Sequence, residues 1–165
     1  MKTQVVLATT GPWRLSKHAR EYVASSMYAK GKSFIASAIL LKRNGGSQFV
    51  VLHLFCQGVE ILLKSLLLLI DDGKFNLKLK SLGHDLVKVT DALIAELKLN
   101  KLKQEVAGEL KALSDLYSNH LLRYGSGFDI FVQPNTIPYR RVLRKVCAVV
   151  KMVERKSCFH AAISI

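Results

Sequence analysis

The run from Gln48 to Ile70, QFVVLHLFCQGVEILLKSLLLLI, limits what this chain can fold into more than any other segment. Its length and near-continuous apolarity suit either a membrane span or the central helix of a bundle. Its polar residues separate the two. His53, Gln57, Glu60 and Lys64 are spaced by four, three and four, which places them on one helical stripe. An ionised side chain at a bilayer centre costs roughly 2.5 to 3.5 kcal/mol. A polar seam on a buried helix is stable when neighbouring elements supply hydrogen-bond partners. The expectation is a central bundle helix, no membrane association, and neighbours that meet the seam.

The rest of the chain has helical spacing and no convincing period-two stretch. The first helix is expected from about His18 to Arg43, with Val23, Met27, Phe34, Ala38 and Leu41 on one face and Gly31 where a second helix can come close. Asn44, Gly45 and Gly46 end it. A third helix near Asp85 to Leu97 carries Leu86, Val89, Leu93 and Leu97 at helical intervals. A fourth carries Leu102, Val106, Leu110, Leu113 and Tyr117 and is expected to run to about Tyr124, with Gly125 as its cap. Pro138 suits the start of a fifth, which holds Val142, Val146, Val149 and Val153 on one side. With 165 residues, half of them hydrophobic, the chain can bury its own core. The expected fold is all-α, an antiparallel up-and-down bundle of four to five helices forming one domain over residues 1–165.

Three cysteines, Cys56, Cys147 and Cys158, make an odd number, and two lie within apolar helical patterns. This points to a reducing, cytoplasmic setting. No paired Cys or His ligands stand at zinc-binding spacing, so neither a metal nor a cofactor is expected. The apolar run at the start is too short for a secretory signal.

The net charge of +13 is unevenly distributed. Residues 1–43 contribute eight basic and one acidic side chain, residues 44–135 ten of each, and residues 136–165 seven and one. In a closed bundle the basic first and last helices would be neighbours. Arg140, Arg144, Lys151 and Arg155 share a stripe of the last helix, flanked by Arg141 and Lys145. Arg140, Arg141, Arg144, Lys145 and Lys151 are therefore candidates for nucleic-acid binding, because such a stripe can follow a phosphate backbone. A solvated face that confers solubility produces the same pattern.

Several other polar residues have structural readings of their own. Asp85 can cap the third helix, with His84 beside it in the loop, and Arg123 suits the negative end of the fourth helix. Taken together, the run from His53 through Gln57 and Glu60 to Lys64, the segment Gly83-His84-Asp85-Leu86, then Tyr117 and Arg123-Tyr124, resembles HEPN domains, the helical domains named for higher eukaryotes and prokaryotes nucleotide-binding. The resemblance covers roughly residues 22–124. It implies a bundle of four or five helices, often a homodimer, that handles RNA or nucleotides and frequently works beside a nucleotidyltransferase.

Some members of that family are ribonucleases with an Arg followed after four to six residues by His, usually with a polar residue such as Asn directly after the Arg. Here Arg155 and His160 have the spacing, but Lys156 follows the arginine. In a metal-free reaction His160 would move a proton while Arg155 stabilised phosphate charge. The leading expectation is a non-catalytic HEPN-like domain that binds RNA, a nucleotide or a partner nucleotidyltransferase through a groove beside His53, Gln57, Glu60, Lys64, His84, Asp85, Tyr117, Arg123 and Tyr124. The alternatives are a toxin-type ribonuclease with an antitoxin partner, and a structural interaction protein with no ligand.

Overall fold

The computed structural model describes residues 16–70, 79–123, 133 and 136–155. Among them are five long helices and no strand: α1 (Lys17–Arg43), α2 (Gln48–Ile70), α3 (Leu86–Glu96), α4 (Gln104–Ser118) and α5 (Arg140–Arg155). The fold is an all-α helical bundle.

The helix ends follow from local chemistry. The Ser16 hydroxyl accepts from the Ala19 amide and starts α1. At its other end Gly45 has a left-handed φ of 72°. The amides of Gly45 and Gly46 donate to the carbonyls of Lys42 and Leu41, the paired bonds of a Schellman turn. The same turn closes α3 through Lys98 and α4 through His120, with φ values of 51° and 60°. Thus α4 stops at Ser118, short of the expected Tyr124, because the chain reverses at His120 and does not wait for Gly125. Arg123 consequently sits in the turn after α4 and not in its last helical turn. Asp85 caps α3 as expected, its Oδ1 accepting from the amides of Val87 and Lys88. Pro138 lies two residues before α5 instead of within its first turn.

α2 is long and apolar enough to cross a membrane, but 67% of its most apolar window is buried by the rest of the protein. Leu52, Phe55, Val59, Leu62, Leu63, Leu66 and Leu67 place it at the centre of one core, which also takes in Leu86, Val89, Leu93, Leu110, Leu113, Tyr117, Val142 and Val146 from its neighbours.

α1 and α2 form an antiparallel pair, with Gly31 and Gly58 at their closest approach. A Cβ on Gly31 would lie 2.9 Å from both the Cβ and backbone N of Leu62, and one on Gly58 would lie 2.9 Å from the Gly31 carbonyl oxygen. This crossing corrects the expected face of α1. The buried set is Ala24, Ser25, Tyr28, Gly31, Ile35 and Ala38, while Val23 is exposed and Met27, Phe34 and Leu41 are only half-buried. The close approach at Gly31 fixes which side of α1 meets α2, so Tyr28 and Ile35 are buried with the small residues while Val23, Met27, Phe34 and Leu41 flank them.

α5 completes the bundle. Val142 and Val146 enter the core, and Val149 and Val153 pack against it. The Tyr28 hydroxyl donates to the Val150 carbonyl at 3.3 Å, and Lys32 pairs with Glu154 at 2.6 Å, so α1 and α5 meet in parallel register.

Candidate functional site

Two groups of residues stand out: a polar cluster along the α2 seam and a cationic groove at the start of α5. The cluster centres on Glu60, only 6% exposed. Its Oε1 accepts from Lys64 Nζ at 2.7 Å, one helical turn on. Its Oε2 accepts from the Tyr117 hydroxyl at 2.7 Å and from His84 Nδ1 at 3.1 Å. Lys64 also donates to the Gly83 carbonyl at 2.6 Å, which ties the loop before α3 to α2.

Burial by itself would raise the Glu60 pKa. The hydrogen bonds from Lys64, His84 and Tyr117, with the Lys64 charge, overcome that and hold the carboxyl below its ordinary range. Burial, then the bond to Glu60, pushes the Tyr117 hydroxyl well above its usual value. Glu60 is thus a fixed, fully engaged carboxylate and a poor general base. The ionised acceptor requires the proton of His84 on Nδ1.

Around this centre the rings of His53 and His84 each lie 5.7 Å from that of Tyr117, and His120 lies 5.8 Å from His84. His53 Nδ1 is buried and has no hydrogen-bond partner among the described residues. Burial, then the nearby Arg123 charge, lowers the pKa of His53 and favours its neutral form. His84 and Arg123 reach solvent at the rim.

The structure therefore joins five of the residues expected at the groove, His53, Glu60, Lys64, His84 and Tyr117, with Arg123 beside them. Asp85 joins indirectly: its Oδ1 accepts from Ser114 Oγ at 3.1 Å, and the same hydroxyl accepts from the Leu86 amide at 3.0 Å. Gln57 is half-buried on the stripe but takes no part in the hydrogen bonding of the cluster. Tyr124 lies outside the described residues.

The second group surrounds a groove of about 490 Å³ lined by Lys42 of α1, Gln48 of α2, the carboxylate Glu109 of α4, residues 136–139, and Arg140, Arg141 and Arg144 of α5. The basic residues of α5 divide into four kinds. Arg141 is neutralised: its Nη1 meets Glu109 Oε1 at 2.9 Å, and its Nε lies 3.4 Å from Glu105. Arg140 and Arg144 are exposed and form no ion pair among the described residues. Lys145 turns away from this groove and lines an apolar one between α2, α3, α4 and α5. Lys151 and Arg155 are exposed farther along α5, and His160 lies outside the described residues.

Glu109 was not among the residues expected here. It is 5% exposed, and its Oε2 accepts from the amides of Arg141 at 2.8 Å and Val142 at 3.3 Å, so a side chain of α4 caps α5. The signal was present in the spacing, since a glutamate between Val106 and Leu110 falls on the apolar face of α4.

No family model, curated protein or solved structure matches the chain.

Proposed function

We propose that this chain is a non-catalytic, HEPN-like binding domain that holds RNA through its phosphates on the groove at the start of α5. One observation carries the reading: Arg140 and Arg144, on successive turns, face a groove shared with Lys42, and neither guanidinium has a carboxylate partner among the described residues. Unpaired guanidinium groups are suited to phosphate oxygens, which they can grip with two parallel hydrogen bonds. Tyr139 lies beside them in the same groove, half-buried with its ring packed against Phe55. The HEPN-like part of the reading is supported by the assembly of His53, Glu60, Lys64, His84 and Tyr117 into one cluster. Since Glu60 is saturated with donors, that cluster serves as a brace joining α2, the loop before α3, and α4.

Fluorescence anisotropy with a labelled single-stranded RNA tests the reading. The double variant Arg140→Glu/Arg144→Glu is expected to weaken binding at least about tenfold, and to flatten the slope of log K against log salt by about 0.7 for each phosphate that is no longer neutralised. The control Lys88→Glu/Lys111→Glu carries the same charge change away from the groove. Equal weakening in both would reduce the interaction to bulk charge and remove the site. The RNA should also remain intact on a denaturing gel, and shortening abolished by Arg155→Ala would replace the proposal with ribonuclease activity.

A further inference from the structure

A second groove, of about 220 Å³, opens between α2, α3, α4 and α5. Leu63, Leu93, Leu102 and Val146 form much of its wall, with Leu99 at the mouth, where it is 47% exposed. The connection from α3 to α4 reads Leu97-Lys98-Leu99-Asn100-Lys101-Leu102-Lys103. Leu99 and Leu102 line the groove while Lys98, Lys101 and Lys103 are exposed. Lys145 of α5 adds a further cation to the lining. None of these four lysines has an acidic partner among the described residues.

We infer that this apolar groove, with Lys145 in its lining and the exposed Lys98, Lys101 and Lys103 on the connection that borders it, docks an acidic amphipathic segment of a partner protein. Apolar walls need apolar side chains to displace their water, and the partly exposed Leu99 leaves the mouth of this groove accessible to them. RNA brings phosphates but no aliphatic groups. A second copy of the chain would bring a like-charged molecule of net charge +13 to a cationic mouth. A helix with leucines at i, i+3, i+4 and i+7, and glutamates around them, satisfies both the walls and the rim. The groove shares no lining residue with the Arg140 and Arg144 groove, so the two ligands need not compete for one site.

The probe is a fluorescein-labelled peptide of about 16 residues, long enough for four helical turns, with leucines at those positions and glutamates elsewhere, titrated with the full chain. Saturable binding is expected. Leu99→Asp, and separately Lys101→Glu/Lys103→Glu, should each weaken it by roughly tenfold or more while leaving the circular dichroism spectrum unchanged. A peptide with its leucines changed to serine should lose binding. The inference is overturned if the serine peptide binds as well as the leucine peptide, which would reveal attraction by charge alone. It is equally overturned if Leu99→Asp dissociates a dimer of the protein, which would put a second copy in the groove. Unlabelled RNA should fail to displace the peptide, and displacement would show a shared site and defeat the assignment.

Discussion

Glu60 shows how a single buried carboxylate can be stabilising or ruinous depending on its partners. Its three donors come from three places: α2 itself, the loop before α3, and α4. Tyr117→Phe removes one donor at nearly constant shape, and chemical denaturation should show a loss of about 1–3 kcal/mol. The pKa of Glu60 is lower folded than unfolded, so its contribution is fully present above its ordinary value of 4.5 and is lost as pH falls through the depressed folded value. Glu60→Gln should therefore lower stability at neutral pH and flatten the acid limb of a stability-against-pH profile; an unchanged acid limb would mean the carboxylate is not held as described. The seam that holds Glu60 was legible because a polar stripe on an apolar helix is a strong signal. Its partners were not, since spacing along one helix says nothing about which loop or ring comes to meet it. Glu109 stayed hidden for the complementary reason: one carboxylate on the face of α4 forms no stripe, and the amides it satisfies belong to a helix more than thirty residues later.

Among the helices, small residues and left-handed turns decide how pairs meet. The existence of all five helices was readable from their apolar periods, whereas the buried face of α1 was not. Large apolar residues dominate a periodicity count, but the close approach at Gly31 and Gly58 decides which side of α1 is buried. Gly31→Ala places a methyl group against the backbone of Leu62, which cannot rotate aside as a side chain could. Denaturant unfolding should register a loss of about 1–3 kcal/mol, despite the better helix propensity of alanine. Lys98 presents the opposite case, a left-handed position filled by a residue with a Cβ. Lys98→Gly relieves that strain and should raise the unfolding midpoint, with a gain on the order of 1 kcal/mol. The end of α4 was misplaced for a related reason. Gly125 is the obvious breaker, but three consecutive polar residues, Ser118, Asn119 and His120, stop the helix earlier, with the Asn119 side chain donating to the Asp115 carbonyl.

For the molecule as a whole, the issue is the cost of bringing its two most basic helices together. Residues 1–43 and 136–165 carry fifteen basic side chains and two acidic ones between them, and α1 meets α5 through the Tyr28 and Lys32 contacts. Glu154 is the acidic side chain that α5 brings to this junction, where it pairs with Lys32. Burial, then the charge of Glu154, raises the Tyr28 pKa to about 12, so the phenol keeps the proton it donates to Val150 across the physiological range. Both members of the Lys32 and Glu154 pair are partly exposed, and as an isolated bridge it should contribute well under about 1 kcal/mol. Its larger effect is to interrupt a field of like charge, and that field depends on salt. At about 0.01 M ionic strength charges interact over roughly 30 Å, and at about 0.15 M over roughly 8 Å. Raising salt between these values should increase the melting temperature of the unliganded protein, because screening relieves repulsion between α1 and α5 more than it weakens one exposed bridge. Glu154→Lys should lower the melting temperature most at the low-salt end and leave a smaller deficit at the high end. A deficit independent of salt would assign Glu154 a packing role and remove electrostatic repulsion as the factor that limits closure of the bundle.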